Sequence, residues 1–243
     1  MKNFFSGILT LALLLLAVVV YAQEGVITYE NTMNMHRRLG SEQEAMKSMI
    51  PEYRTTKQQL FYNAQESLYK ALEEDEDQFT ASGGGMRINM RVPLNESYYD
   101  QGTARKVLLT EFMGKKYIIE DSIRISPWKF GTETKEIQGY TCKQAYYEDE
   151  AKKLAVVAWY TDKLRPALGP ESFNTLPGAV LAVDINNGER VIKAIKVEQR
   201  PLRKGEMSRP SKGQKVTQQE YQAMVDEQME RMRQNGGRNV IIR

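Results

Sequence analysis

Few side chains in this sequence are of types that do covalent chemistry. There is one cysteine, Cys142, and one histidine, His36. A Ser-His-Asp arrangement or a histidine-based zinc site would have to use that single imidazole, and no second histidine completes a typical zinc set. His36 falls on the polar side of an alternating stretch, opposite Met33 and Met35, and reads as a solvated surface residue. Cys142 lies between Thr141 and Lys143 in a strand-like run. A reactive thiolate needs a base or a positive field beside it, so this thiol reads first as a small buried hydrophobe. A lone cysteine forms no internal disulfide, so stability must come from packing. A hydrolase built on carboxylates would draw on Asp162, Glu171 and Asp184, but nothing in their spacing sets two of them at a working separation. Asp184, Asn186 and Gly188 match only the start of a calcium loop, without its later acidic ligands. The expectation is a chain without a cofactor, a metal or a catalytic set.

Binding is the better-supplied chemistry. Trp128, Tyr140, Tyr146, Trp159 and Phe173 could line an apolar cavity, although aromatics near strand ends are commonly plain core. Alternation puts Trp159 with Val157 and Ala155, opposite Tyr160 and Ala158. Both faces are apolar, which predicts a central strand covered on both sides. Leu176, Pro177 and Gly178 sit between two strand-like runs. They read either as a gate over that cavity or as a structural turn, with Pro presetting one dihedral and Gly allowing positive φ. The turn is the reading adopted. Asp121-Ser122-Ile123 matches a short Asp-Ser/Thr-apolar acceptor pattern for O-glycosylation and offers Ser122 as a modification site.

The elements that must hold these residues are mostly strands. Ile27, Tyr29, Met33 and Met35 alternate with polar residues as an opening strand. Strands are also expected at 60–63, 67–72 and 86–92, with paired runs at 107–112 and 116–121 about Gly114, 140–147 and 154–160 about the charged turn 148–150, and 179–185 and 191–197 about Asn186-Asn187-Gly188. Ser41 and Glu44 form a capping box ahead of a short helix stopped by Pro51. Residues 73–85, acidic and then glycine-rich, read as a mobile loop. Residues 200–215 read as a linker. Thr217 and Glu220 cap a C-terminal helix whose Tyr221, Met224, Val225, Gln228, Met229 and Met232 share a face. The expected class is therefore α+β: a mainly antiparallel, curved sheet over 23–199, an early short helix, and an amphipathic helix and tail over 216–243.

Residues 1–22 read as a cleavable secretory signal: Lys2, an apolar run from Ile8 to Val20, and a Val20-Tyr21-Ala22 cleavage signal before Gln23. The run is shorter than the roughly 20 residues a membrane span needs, so no span is expected after cleavage. The formal charge of +3 comes from 34 basic and 31 acidic residues spread along the chain. That is not the basic footprint of a nucleic-acid binder. The chain is expected to work in the periplasm or cell envelope.

A family resemblance rests on several stretches in order: 117–121, Trp128-Lys129-Phe130, 133–145, Ala158-Trp159-Tyr160-Thr161, Gly169-Pro170 and Leu176-Pro177-Gly178-Ala179-Val180-Leu181, with Gln65 to Tyr69 upstream. In this order they resemble the GLPGLI family of exported proteins from Bacteroidetes. Thr175 replaces the first glycine of that signature, and Ala179-Val180 replaces its Leu-Ile. By fold analogy the resemblance implies a curved sheet like that of periplasmic lipoprotein carriers of the LolA type. It implies a non-enzymatic protein holding a hydrophobic ligand or client, such as a lipid or acyl chain. The alternative is an envelope protein-interaction module beside an outer-membrane transport or secretion complex.

Overall fold

The structure is a computed structural model that describes residues 24–40, 44, 47–72, 79–83, 86–90, 94–165 and 167–234. The expected signal segment and its cleavage point at Ala22 and Gln23 lie outside those residues. One twelve-stranded sheet dominates. In spatial order its strands are β14 (Gln214–Val216), β8 (Lys115–Ser122), β7 (Arg105–Phe112), β6 (Asn95–Asp100), β3 (Glu66–Ala71), β2 (Tyr53–Tyr62), β1 (Gly25–Asn34), β13 (Arg190–Gln199), β12 (Ala179–Ile185), β11 (Leu154–Thr161), β10 (Tyr140–Asp149) and β9 (Lys129–Ile137). Neighbours are antiparallel except β14, which runs parallel to β8. β4 (Phe79–Gly83) and β5 (Met86–Met90) form a separate hairpin. Among the described residues one α-helix, α1 (Gln218–Gln234), follows the sheet.

This is a mostly-β chain, which corrects the α+β expectation. The early helix predicted over 41–50 is not an α-helix in its described part. A 3-10 turn at His36–Arg38 comes first, further 3-10 residues occur at Glu44, Lys47 and Ser48, and β2 begins at Tyr53. A segment of ten residues closed by Pro51 is too short to hold a helix without packing behind it. Ser41, Ala45 and Met46 lie outside the described residues. The expected loop 73–85 contains strand β4, with 73–78 and 84–85 outside the description.

The predicted hairpins form where left-handed residues allow them. Met113 and Gly114 take φ of 54° and 75°, and Asn186, Asn187 and Gly188 take 52°, 51° and 85°. Such turns match the twist of the strands they join. Two faces follow from the register. Ile27, Tyr29, Leu60, Tyr62 and Tyr69 turn to one core together with Cys142, Val156, Ala158, Val183 and Ile192. Tyr69 of β3 and Cys142 of β10 share that core although their strands lie far apart in the sheet order, because the sheet curls round it. The opposite, outer face carries a second, smaller core of Leu68, Tyr98, Val107, Leu109 and Ile118.

The chain after β13 covers that outer core. Met207 packs on it, Arg200 grips Glu206 at 2.8 Å, and Arg209 and Lys215 reach Glu120 at 3.1 and 3.2 Å. α1 is capped as its sequence predicts: Thr217 Oγ1 accepts from the Glu220 amide at 3.1 Å, and Glu220 accepts from the Thr217 amide at 2.7 Å. Its Tyr221 ring meets Phe112 and Tyr117 edge-on.

Candidate functional site

The long connection from β11 to β12, residues 162–178, decides what the inner face can do. Leu164, Leu168, Phe173 and Leu176 are buried within the inner core. The connection is tied down by its backbone. The Val180 amide donates to Leu168 at 2.9 Å, and the Gly178 amide donates back to Leu176 at 2.7 Å, closing a three-residue turn about Pro177. Side chains from distant strands hold it as well. Arg190 forks onto Glu171 and also donates to Asn31 Oδ1 at 3.0 Å. Gln101 donates to the Ala167 carbonyl, and Tyr29 donates to the Val180 carbonyl at 2.7 Å. Gly178 adopts φ of 143°, and a Cβ there would collide with the Thr161 carbonyl. Thr175 also sits at positive φ, 68°. Its hydroxyl is buried without a hydrogen-bond partner among the described residues.

The aromatic residues expected to line one cavity are dispersed. Phe173 is buried in the filled interior, and Tyr140 packs half-buried against the same core. Tyr146 stands exposed. Trp159 is buried within the same core, and Lys135 Nζ lies 4.0 Å from its ring centroid. Val156 and Ala158 of one alternating set and Trp159 of the other are core members, and Val157 packs on that core, so both faces of this strand are covered, with the Lys135 stem adding to the cover over Trp159. Leu176 is buried, Pro177 is exposed and Gly178 is buried. Ser122 is exposed at the end of β8, its amide bonded to Asp121 Oδ1 at 2.8 Å.

The candidate nucleophiles and acids have other occupations. Burial pushes the Cys142 thiol up to about 11. His36 Nε2 pairs with the Ile50 carbonyl at 2.9 Å. Asp162 takes a 2.7 Å bond from Lys143, which holds its carboxyl below the usual range. Glu171 is engaged by Arg190, and Asp184 accepts from the Gly188 amide at 2.6 Å within the β12–β13 turn.

What the structure brings together, and spacing alone does not reveal, is an aromatic strip at the open edge of the sheet. β9 pairs with β10 alone. Phe130 sits opposite Ala145, and its ring meets Tyr160 edge-on at 6.1 Å. Trp128 meets Tyr147 at 4.8 Å and donates from Nε1 to the Asn174 carbonyl at 3.1 Å. Phe130 is 61% exposed and Trp128 and Tyr147 are half-buried. The Lys143–Asp162 pair stands at the Tyr160 end, since Lys143 is the register partner of Tyr160. The available signal was Trp128-Lys129-Phe130 itself, two aromatics one residue apart. β9 was missed because nearly all of its side chains are exposed, so no apolar alternation marks it.

The comparisons redirect the family reading. Two crystal forms of PNGF-II, in space groups P21 and C2, share the fold at TM-score 0.58 and 17% identity. Each alignment covers 84% of this chain and 33% of the solved chain, so this chain spans about a third of the length of those structures. A search among curated proteins finds no match. The model for the N-terminal domain of N-glycanase peptide matches residues 51–223. This overturns the GLPGLI assignment and, with it, the carrier of a lipid or acyl chain. The motif misled because a buried leucine before Pro-Gly is what this tight crossover requires on packing grounds alone. By the match over 51–223, the chain belongs to the family of N-glycanase N-terminal domains.

Proposed function

We propose that the chain is a non-catalytic accessory module that recognises N-glycosylated protein, while any cleavage of the glycan is done by groups it does not carry. The observation that supports this reading is the family match taken with its extent: the matched family is an N-terminal domain, and the fold corresponds to a third of the solved PNGF-II chains. The side chains agree with it. Asp162, Glu171 and Asp184 are each committed to a partner within the fold, and the one thiol is buried and hard to ionise. The signal-like segment 1–22 supports export, placing the module where glycoproteins from outside the cell are met; N-terminal sequencing of the exported protein should begin at Gln23. The reading is tested by passing an N-glycopeptide over the immobilised chain and analysing the eluate by mass spectrometry. Retention of intact glycopeptide is expected. Release of free glycan would overturn the non-catalytic assignment, and passage without delay would overturn recognition.

A further inference from the structure

The geometry points to the Trp128–Phe130 strip as a platform for a neutral pyranose unit of the N-linked glycan; this rests on the accessory reading above. A pyranose ring presents C–H bonds on one face and hydroxyls around its rim. It is therefore held by an aromatic ring beneath and by charged or amide groups at the side. The strip supplies both. Phe130, 61% exposed, is the most accessible ring of the strip, and its edge contact with Tyr160 fixes its orientation. Trp128 is anchored by its bond to Asn174 and by Tyr147. Trp128 immediately precedes β9 and Phe130 is its second residue, so the two rings sit at one end of the edge strand as neighbouring stacking positions. Lys143 and Asp162, 53% and 37% exposed, supply donor and acceptor atoms next to Tyr160. Their charges cancel, which favours an uncharged sugar over an acidic one.

Trp159 is the competing platform, and the structure argues against it. Its exposure is only 9%, and Lys135 already occupies its ring face. Tyr53, 55% exposed on β2, lies outside the strip and serves as a control.

The experiment is a calorimetric titration of the full mature chain with a neutral N-glycopeptide and with the same peptide after glycan removal, alongside tryptophan fluorescence. Phe130→Ala should weaken binding of the glycopeptide by about tenfold, and Asp162→Asn by about threefold. Tyr53→Ala should leave it unchanged. The glycopeptide should perturb tryptophan emission in the wild type, and Trp128→Phe should remove that response. Each substituted side chain is at the surface or partly so, and matching thermal melts establish that the variants fold. If the wild type binds glycopeptide and both Phe130→Ala and Asp162→Asn bind equally well, the strip is the wrong site and the accessory reading stands. If the wild type does not distinguish glycopeptide from bare peptide, both fall.

Discussion

The two faces of the sheet are closed by different means. The inner face is filled by residues 162–178, whose leucines are buried to 1–2% exposure and whose backbone bonds directly to strand β12. The outer face is covered on one half by residues 200–216, held by Met207 and by ion pairs that keep much of their surface in water. Exposed ion pairs contribute little each, whereas a fully buried leucine contributes several kcal/mol through transfer and cavity terms. The inner segment is therefore part of the fold, and the outer one is a strap laid over it.

The sharpest way to break this comparison is Gly178→Ala. Its φ of 143° is nearly reserved for glycine, and the new methyl would meet the Thr161 backbone, which has nowhere to go. The expected loss is roughly 4 kcal/mol, read by chemical denaturation; a loss under about 1 kcal/mol would show that the turn adapts. Leu176→Ala should cost about 3 kcal/mol, as a core leucine does. Met207→Ala on the strap should cost about 1 kcal/mol, since that side chain is only half-buried. Equal losses for the two would erase the distinction between filler and strap.

Two smaller effects sharpen it. Thr175→Gly should stabilise by about 1 kcal/mol. It removes a β-branched residue from the left-handed region, and its orphaned hydroxyl, against the entropic cost of glycine. A destabilised variant would mean that Thr175 has a role the fold does not explain. On the strap, bonds from Arg200, and then the Arg203 amide, hold Glu206 at about 2, below its ordinary 4.5. A carboxyl depressed on folding contributes stability that is complete above about 4.5 and lost as pH falls through about 2. Glu206→Gln should flatten the part of the acid-induced loss of thermal stability that falls in this window; an unchanged pH profile would show that the pair adds nothing.

Much of this architecture was legible in the sequence, and the failures have physical causes. The hairpins at 107–121 and 179–197 were visible because Gly114 and Asn186-Asn187-Gly188 declare their turns beside runs with a buried face. The capping box at Thr217 was visible for a similar local reason. β2 was seen only at its end because Tyr53 to Lys57 are exposed or half-buried and the buried Gln58 is polar; β6 buries Ser97, Tyr98 and Tyr99 in a row and β9 is nearly all exposed, so neither shows alternation. The short β14 is invisible because its pairing with β8 is set by the strap's path and not by its own residues. Of the site, Trp128 was named from composition, but its neighbours Phe130, Tyr147 and Tyr160 come together only when β9 folds onto β10. The contact of Lys135 with the Trp159 ring is likewise one that no sequence pattern shows. The class was misjudged because helical spacing at 44–50 is cheap to find in a short window, and the resemblance was misjudged because its signature coincides with a sterically required turn.

The central claim, that this chain recognises glycosylated protein and does not cleave it, is tested most directly with one glycoprotein in two states. Calorimetry would compare an N-glycosylated protein with the same protein stripped of its glycans, and mass spectrometry would then weigh the recovered glycoprotein. The account predicts heat of binding with the glycosylated form alone and an unchanged mass after incubation. Equal binding to both forms, or a mass reduced by the glycan, would contradict it.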